Sequence, residues 1–332
     1  MTDKPKDVSP KEILKKALAG ESIARKDAMV LMDANKTKLD ELIHVSKIIT
    51  NKYFDNKIEM CAIYPAKVGL CSGDCAYCAQ SVHHSCEVHT VVPADLDVNG
   101  ILALVKELFR NGVKRYSLVT SGEVLTDGEF ESILQIFRKI KAETGIALCA
   151  SLGSLNAERA RKLIETGVTR YHHNIETSRN YFSQICSTHS FDEKIVSIKI
   201  AKAAGLEVCS GGIISMGESS EDRIDMAFEL AALEVDCVPL NILNPISGTR
   251  LERQEILSVD ELLRTIAVFR IILQNKPLRF AGGRENAFGE EEYKGFIAGI
   301  NSMIVGNYLT TSGKLFEKEV ENVRKGGFEL ML

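Results

Sequence analysis

The chain has 332 residues, 45% hydrophobic and 26% charged, which is the composition of a globular protein long enough for one large domain. A formal net charge of -4 argues against a phosphate-backbone or anionic-membrane partner, and no apolar run approaches the roughly 20 residues that span a bilayer, so neither nucleic acid nor membrane is expected. The polar start MTDKPKDVSPKEILKK has no apolar segment of a signal peptide, and nine cysteines in such a chain imply a reducing cytoplasm and thiols kept for metal or redox chemistry. Residues 8–54 read as two or three amphipathic helices broken at Gly20 and Asn35, giving an N-terminal helical extension over 1–54. From 55 to 332 another unit recurs: a periodic helix, a glycine, then a short strand. A strand at IEMCAIYP comes first. The joins NGVKRYSLV, TGIALCASL, TGVTRYHHN and AGLEVCSGG follow, with Gly112, Gly145, Gly167 and Gly205 as helix C-cap candidates. CVPLNIL, LRFAGG and SMIVG complete eight strands alternating with helices, which predicts a parallel (β/α)8 barrel. An open doubly wound sheet is the alternative.

Strand alternation says which side chains enter the barrel. Helices cover the outside, so the apolar face of each strand should point outward. The other face then carries Cys237, Pro239 and Asn241 on one strand and Ala147, Cys149 and Ser151 on another. It also carries His172, Asn174 and Glu176, then Glu207, Cys209 and Gly211, and Arg279 from LRFAGG. A barrel lumen is ordinarily filled by Val, Ile and Leu. One lined by thiols and polar groups reads as a deep active site.

After the first strand, GLCSGDCAYCAQS places Cys71, Cys75 and Cys78 in a C-x3-C-x2-C array at the barrel's C-terminal mouth. A zinc site would want four ligands. Three thiolates on one loop can hold three irons of a four-iron cubane and leave the fourth iron open. That open iron could bind the amino and carboxylate groups of S-adenosylmethionine, and aromatic Tyr77 lies inside the motif. Cys86, among His83, His84 and His89, reads as a surface or half-buried thiol, with zinc as the alternative; Cys186 reads as a loop thiol near the mouth. In GGIISMGES the phosphate-loop pattern G-x4-G-K is absent, so Gly211 and Gly212 read as sites of close backbone approach to the methionyl end of the cosubstrate.

The array is the radical S-adenosylmethionine signature, and residues 58–311 resemble the biotin synthase family. The similar stretches are CAYCAQS, ASLGSLNAERARKLIETG, YHHNIETS, EVCSGGIISMGES, VPLNILNPISGT, RTIAVFRII and GRE, in the family's order. The resemblance implies sulfur insertion into dethiobiotin by 5′-deoxyadenosyl radicals, with a second, auxiliary iron–sulfur cluster in the barrel as sulfur source. It implies that Cys71, Cys75 and Cys78 hold the radical-generating cluster. It implies also that Asn174, Glu176 and Lys194 contact S-adenosylmethionine, and that Asn174 and Asn241 bind the ureido ring beside His172. Flavodoxin or ferredoxin as electron donor, a homodimer and a cytoplasmic setting are expected with it. His172 and Lys194 stand where the family usually has Asn and Arg, and His172 brings a group that ordinarily titrates near neutrality.

The auxiliary site departs further. Cys149, Cys209 and Arg279 match three of the family's two-iron ligands, but Ser117 occupies the remaining cysteine position, and Cys61 and Cys237 stand where the family usually has serine. One thiol lost and two gained in one lumen predict a rebuilt, four-iron-type cluster on Cys61, Cys149, Cys209 and Cys237. It could carry an extra sulfur, with Arg279 beside it or as an alternative ligand. The competing readings are another radical enzyme of the group, such as a methylornithine synthase-like mutase or a hydrogenase-maturase-like protein, and a non-enzymatic iron–sulfur carrier.

Overall fold

A computed structural model describes residues 8–307 and 313–331; the outer ends of the predicted 1–54 and 55–332 segments and the 308–311 end of the resemblance lie outside them. Ten strands form among the described residues: β1 (Lys57–Lys67), β2 (Arg115–Thr120), β3 (Ala147–Ser151), β4 (Val168–His172), β5 (Glu207–Cys209), β6 (Gly212–Ile214), β7 (Val238–Ile242), β8 (Leu278–Phe280), β9 (Ser302–Val305) and β10 (Glu329–Leu330). All named pairs are parallel, in the order β5-β4-β3-β2-β1-β9-β8-β7-β6, and β10 adds to the start of β1. The two ends of that order, β5 and β6, are halves of one stretch. Cys209 bridges Cys237 just before β7, so the sheet curls back on itself as the expected (β/α)8 barrel. An open doubly wound sheet is excluded, because it would leave both edges free.

Neighbouring strands require the glycines at the break in the fifth strand. A Cβ on Gly211 would lie 1.9 Å from the Pro239 carbonyl oxygen, and one on Gly212 would lie 2.3 Å from that of Glu176. Both glycines therefore serve strand packing first, whatever they contribute to cosubstrate binding. Gly211→Ala is expected to cost several kcal/mol, since backbone rather than a mobile side chain blocks the methyl. A thermal melt checks this: an unchanged Tm would refute the packing assignment.

Outer strand faces and the surrounding helices share one apolar core, from Leu148, Tyr171, Val208, Val238 and Leu240 to Phe137, Leu163, Ile198 and Phe269. The apolar-out alternation holds in it. Helices Pro10–Ala19, Arg25–Met32 and Leu39–Phe54 bury Ile13, Leu31 and Leu42 against Ile224, Val268 and Ile271 of the helices Ser220–Ala232 and Val259–Leu273. The first of these is bounded as its sequence suggests, by a Ser9–Glu12 capping box and a left-handed Gly20 at φ 86°. Gly112, Gly167 and Gly205 also take positive φ. Gly145 does not: the preceding helix, Asp127–Glu143, ends at an extended Thr144, and Gly145 instead admits the Phe109 ring.

Candidate active site

The lumen floor is a charge network. Glu59 on β1 lies 3.1 Å from Arg279 Nη2 and 3.8 Å from Arg115 Nε, while Glu207 accepts from Arg170 Nε at 2.9 Å and lies 3.2 Å from Arg115 Nη2. Three guanidiniums against two carboxylates leave the floor with a positive surplus. Arg170 is only 5% exposed, yet its Nη1 finds no hydrogen-bond partner among the described residues.

Above this floor sit the thiols. Cys61, Cys149, Cys209 and Cys237 are all fully buried, and Arg170 and Arg279 act electrostatically on each of them. Burial raises Cys61 and pushes Cys149 up to about 12, against the pull of the arginines. Cys209 is held protonated by burial and hydrogen-bonds Cys237, which that bond brings down to about 6. Arg279 donates to Ser302 Oγ at 3.0 Å and to Cys209 Sγ at 3.5 Å besides pairing with Glu59. Ser117 is buried, with its hydroxyl turned to the Leu118 carbonyl at 3.5 Å.

His172, half-buried at the end of β4, has its Nε2 buried with no hydrogen-bond partner among the described residues. Burial, then Arg279, Arg170 and Arg115, drive its pKa far below 6.5. The expectation that it titrates near neutrality is thereby corrected: the ring is neutral. Asn241 donates through Nδ2 to the Gly212 carbonyl at 3.3 Å and accepts from Gly282 N–H at 3.0 Å, so its amide also ties neighbouring strands together. Asn174 Oδ1 accepts from Gly211 N–H at 3.2 Å. Glu176, at φ 68°, hydrogen-bonds Tyr77 and Asn174; burial raises its pKa, and Lys194 opposes the rise.

At the mouth, the loop after β1 is held at several points. Cys71 N–H donates to Gln80 O at 3.0 Å, Gly69 N–H to Gln80 Oε1 at 3.2 Å, and Ala76 N–H to Ile185 O at 2.8 Å. Two cavities meet this loop. One, of about 240 Å³, runs from Tyr77 and Cys78 to Asn241, Ile63 and Ile304; Ile63 lies two residues above Cys61 on the same face of β1. The other, about 110 Å³, is lined by Cys71, Cys75, His173, His189 and Lys194.

Comparison with known proteins now decides the family. The Radical SAM superfamily matches residues 66–231, and the Biotin and Thiamin Synthesis associated domain matches residues 239–329. The biotin synthase of Caldicellulosiruptor bescii is 48% identical over 312 residues, covering 94% of this chain and 92% of that protein. The biotin synthase of Acetivibrio thermocellus is 48% identical over 295 residues, covering 89% and 91%.

The chain belongs to the biotin synthase family.

Two solved structures share its fold at low identity. A methylornithine synthase superposes with TM-score 0.82 at 18% identity, covering 96% of this chain and 97% of the other. The FeFe-hydrogenase maturase of Carboxydothermus hydrogenoformans reaches 0.81 at 16%, covering 97% and 79%. Several groups of this biotin synthase-family site escaped sequence reasoning. Arg115 and Arg170 lie on the lumen parity of their strands and were legible there. Alternation puts His173 on the face opposite His172, but β4 ends at His172; past it the alternation lapses, and His173 lines the mouth cavity, where burial lowers it to about 3. Cys186, read as a loop thiol without a role, lies 3.9 Å from Cys75.

Proposed function

We propose that this chain is a biotin synthase whose mouth thiols Cys71, Cys75 and Cys78 hold the radical-generating cluster and whose lumen thiols Cys61, Cys149, Cys209 and Cys237 hold a four-iron-type auxiliary cluster. The observation that carries this reading is one barrel with two thiol sets at two depths and a cavity reaching from the first toward the second. The donor chemistry fits the groups. Three loop thiols leave one iron of a cubane open, and four lumen thiols match an all-cysteine ligand set. A positive floor, where Arg170 Nη1 makes no hydrogen bond and only a 4.0 Å ion pair with Glu59, suits a sulfur-rich anion. When bound, the two clusters and S-adenosylmethionine would supply a hydrogen-abstracting radical and the inserted sulfur.

The remaining work falls to side chains. Tyr77 and Asn174 orient Glu176, whose carboxylate suits ribose hydroxyls, while Lys194 supplies a cation beside the carboxylate of S-adenosylmethionine. Neutral His172, with the second Nδ2 N–H and the second Oδ1 lone pair of the Asn241 amide, offers donor and acceptor to a ureido ring. Arg279, already bonded to Cys209, Ser302 and Glu59, orients and neutralises rather than ligates. A flavodoxin- or ferredoxin-type electron donor, a homodimer, a cytoplasmic setting and the division at residue 54/55 belong to the same proposal. No described helix is long and apolar enough to cross a membrane.

Anaerobic incubation with dithionite, S-adenosylmethionine and dethiobiotin tests the function directly. Biotin should form together with 5′-deoxyadenosine. Cleavage of the cosubstrate without biotin would favour another radical reaction, and neither product would point to a carrier. Asn241→Ala leaves a buried ureido group unpaired, worth about 1–3 kcal/mol, so dethiobiotin affinity should fall roughly 5- to 150-fold. Calorimetric titration of the loaded enzyme measures it, and unchanged affinity removes Asn241 from the substrate site.

A further inference from the structure

Cys186 and His189 have no part in the reaction outlined above, yet they are built into the mouth with care. Cys186 is 4% exposed, its Sγ 3.9 Å from Cys75 Sγ and 3.3 and 3.5 Å from the two ring nitrogens of His189. Ligand atoms of Cys75, Cys186 and His189 all lie within 4.8 Å of one another, the one such triplet found among the described residues. Bonds of about 2.3 Å to sulfur at a tetrahedral angle would set S···S near 3.8 Å, close to the 3.9 Å between Cys75 and Cys186; Cys186 Sγ lies over the His189 ring, nearly equidistant from its two nitrogens, so a turn of the ring would aim one nitrogen at the ion.

The surroundings hold this arrangement in place. The Asp74 carboxylate accepts the N–H groups of Ser187 and Thr188 at 2.9 and 3.1 Å and both their hydroxyls, which fixes the 186–189 turn against the cysteine loop. Arg250 Nη2 bonds the carbonyls of Asp74 and Ile185 at 3.0 Å each, and the Phe182 ring meets His189 edge-on at 5.8 Å. Asp74, its oxygens already taken, is an orienting group and not a ligand. His189 borders the mouth cavity, which leaves a fourth position open to water or an incoming ligand.

We propose that, in the chain without its radical cluster, Cys75, Cys186 and His189 form a mononuclear site for a thiophilic divalent first-row cation such as ferrous iron or zinc, and that an ion held there keeps Cys75 from the cluster. The donor set of two thiolates and one imidazole selects this class of ion over magnesium or calcium. The inference rests on the reading of the mouth only in that Cys75 is the shared ligand.

The test uses the full-length Cys71→Ala, Cys78→Ala chain with its lumen cluster reconstituted, titrated anaerobically with cobalt(II). One ion per chain should bind, with tetrahedral d–d absorption and a thiolate-to-cobalt band of two-sulfur intensity. Adding Cys186→Ala, or Cys186→Ser to keep the side-chain size, should weaken binding about 100-fold or more, and adding His189→Ala about 10-fold or more. In the otherwise wild-type chain, one equivalent of zinc given before reconstitution should lower radical-cluster iron, and Cys186→Ala should remove that effect. Absence of the bands in the double variant, or bands indifferent to Cys186, would overturn the proposal. A lumen that takes up no iron would instead count against the two-cluster reading. The difference between chains with and without Cys186 still reports on the mouth site.

Discussion

Cys75→Ala is expected to reduce 5′-deoxyadenosine formation to the level of a protein-free control, and Cys71→Ala and Cys78→Ala should do the same. In the proposed site each thiolate would serve one iron of a cubane whose fourth iron would stay open for the cosubstrate. Two thiolates would hold such a cluster too weakly to keep that iron in place. The substitutions should not unfold the chain. Cys71, Cys75 and Cys78 are only partly buried, and the loop's own anchors, Gln80 and the Ala76–Ile185 bond, remain. Far-UV circular dichroism of each variant should therefore match the parent while cosubstrate cleavage vanishes. Undiminished cleavage by Cys75→Ala would remove that residue from the cluster.

The second large effect lies deeper. Reconstituted parent protein should hold about eight irons per chain, four at each site. A Cys61→Ser, Cys237→Ser chain should keep about four, cleave S-adenosylmethionine and make no biotin. Serine hydroxyls are poor ligands for iron–sulfur clusters unless deprotonated, and a lumen already ringed by arginines would be left with two thiols. Mössbauer spectra separate this from the family's two-iron form. A parent count near six with two-iron parameters would refute the four-iron assignment, as would a double variant with full iron and biotin output. Cys237 is the more sensitive of the two positions. Its backbone bridges Cys209 at the junction of the split strand and its thiol hydrogen-bonds the Cys209 thiol, so its loss disturbs the pairing as well as the ligand set.

What the amino-acid sequence determined by itself was whatever depends on neighbours in the chain. The C-x3-C-x2-C spacing lies within one loop, and the pleat makes side-chain parity a local property. Cys61, Cys149, Cys209, Cys237, Asn241 and Arg279 could therefore be put on one face before any strand was paired. Eight strand–helix repeats pointed to a parallel α/β fold, since parallel strands need crossover helices, and favoured the barrel over an open sheet; the Cys209–Cys237 bridge that closes it came only with the tertiary structure. Tertiary structure alone decided what depends on residues far apart. The fifth strand breaks because the Pro239 and Glu176 carbonyls press on Gly211 and Gly212. His172 is held neutral first by desolvation and then by arginines from β2, β4 and β8; parity puts these groups in one lumen, but only the closed barrel sets how near they come. Cys186 meets Cys75 across 111 positions of sequence because Asp74 and Arg250 draw two mouth loops together. Electrostatics and packing act through space, and the chain's order carries no record of distance until it has folded.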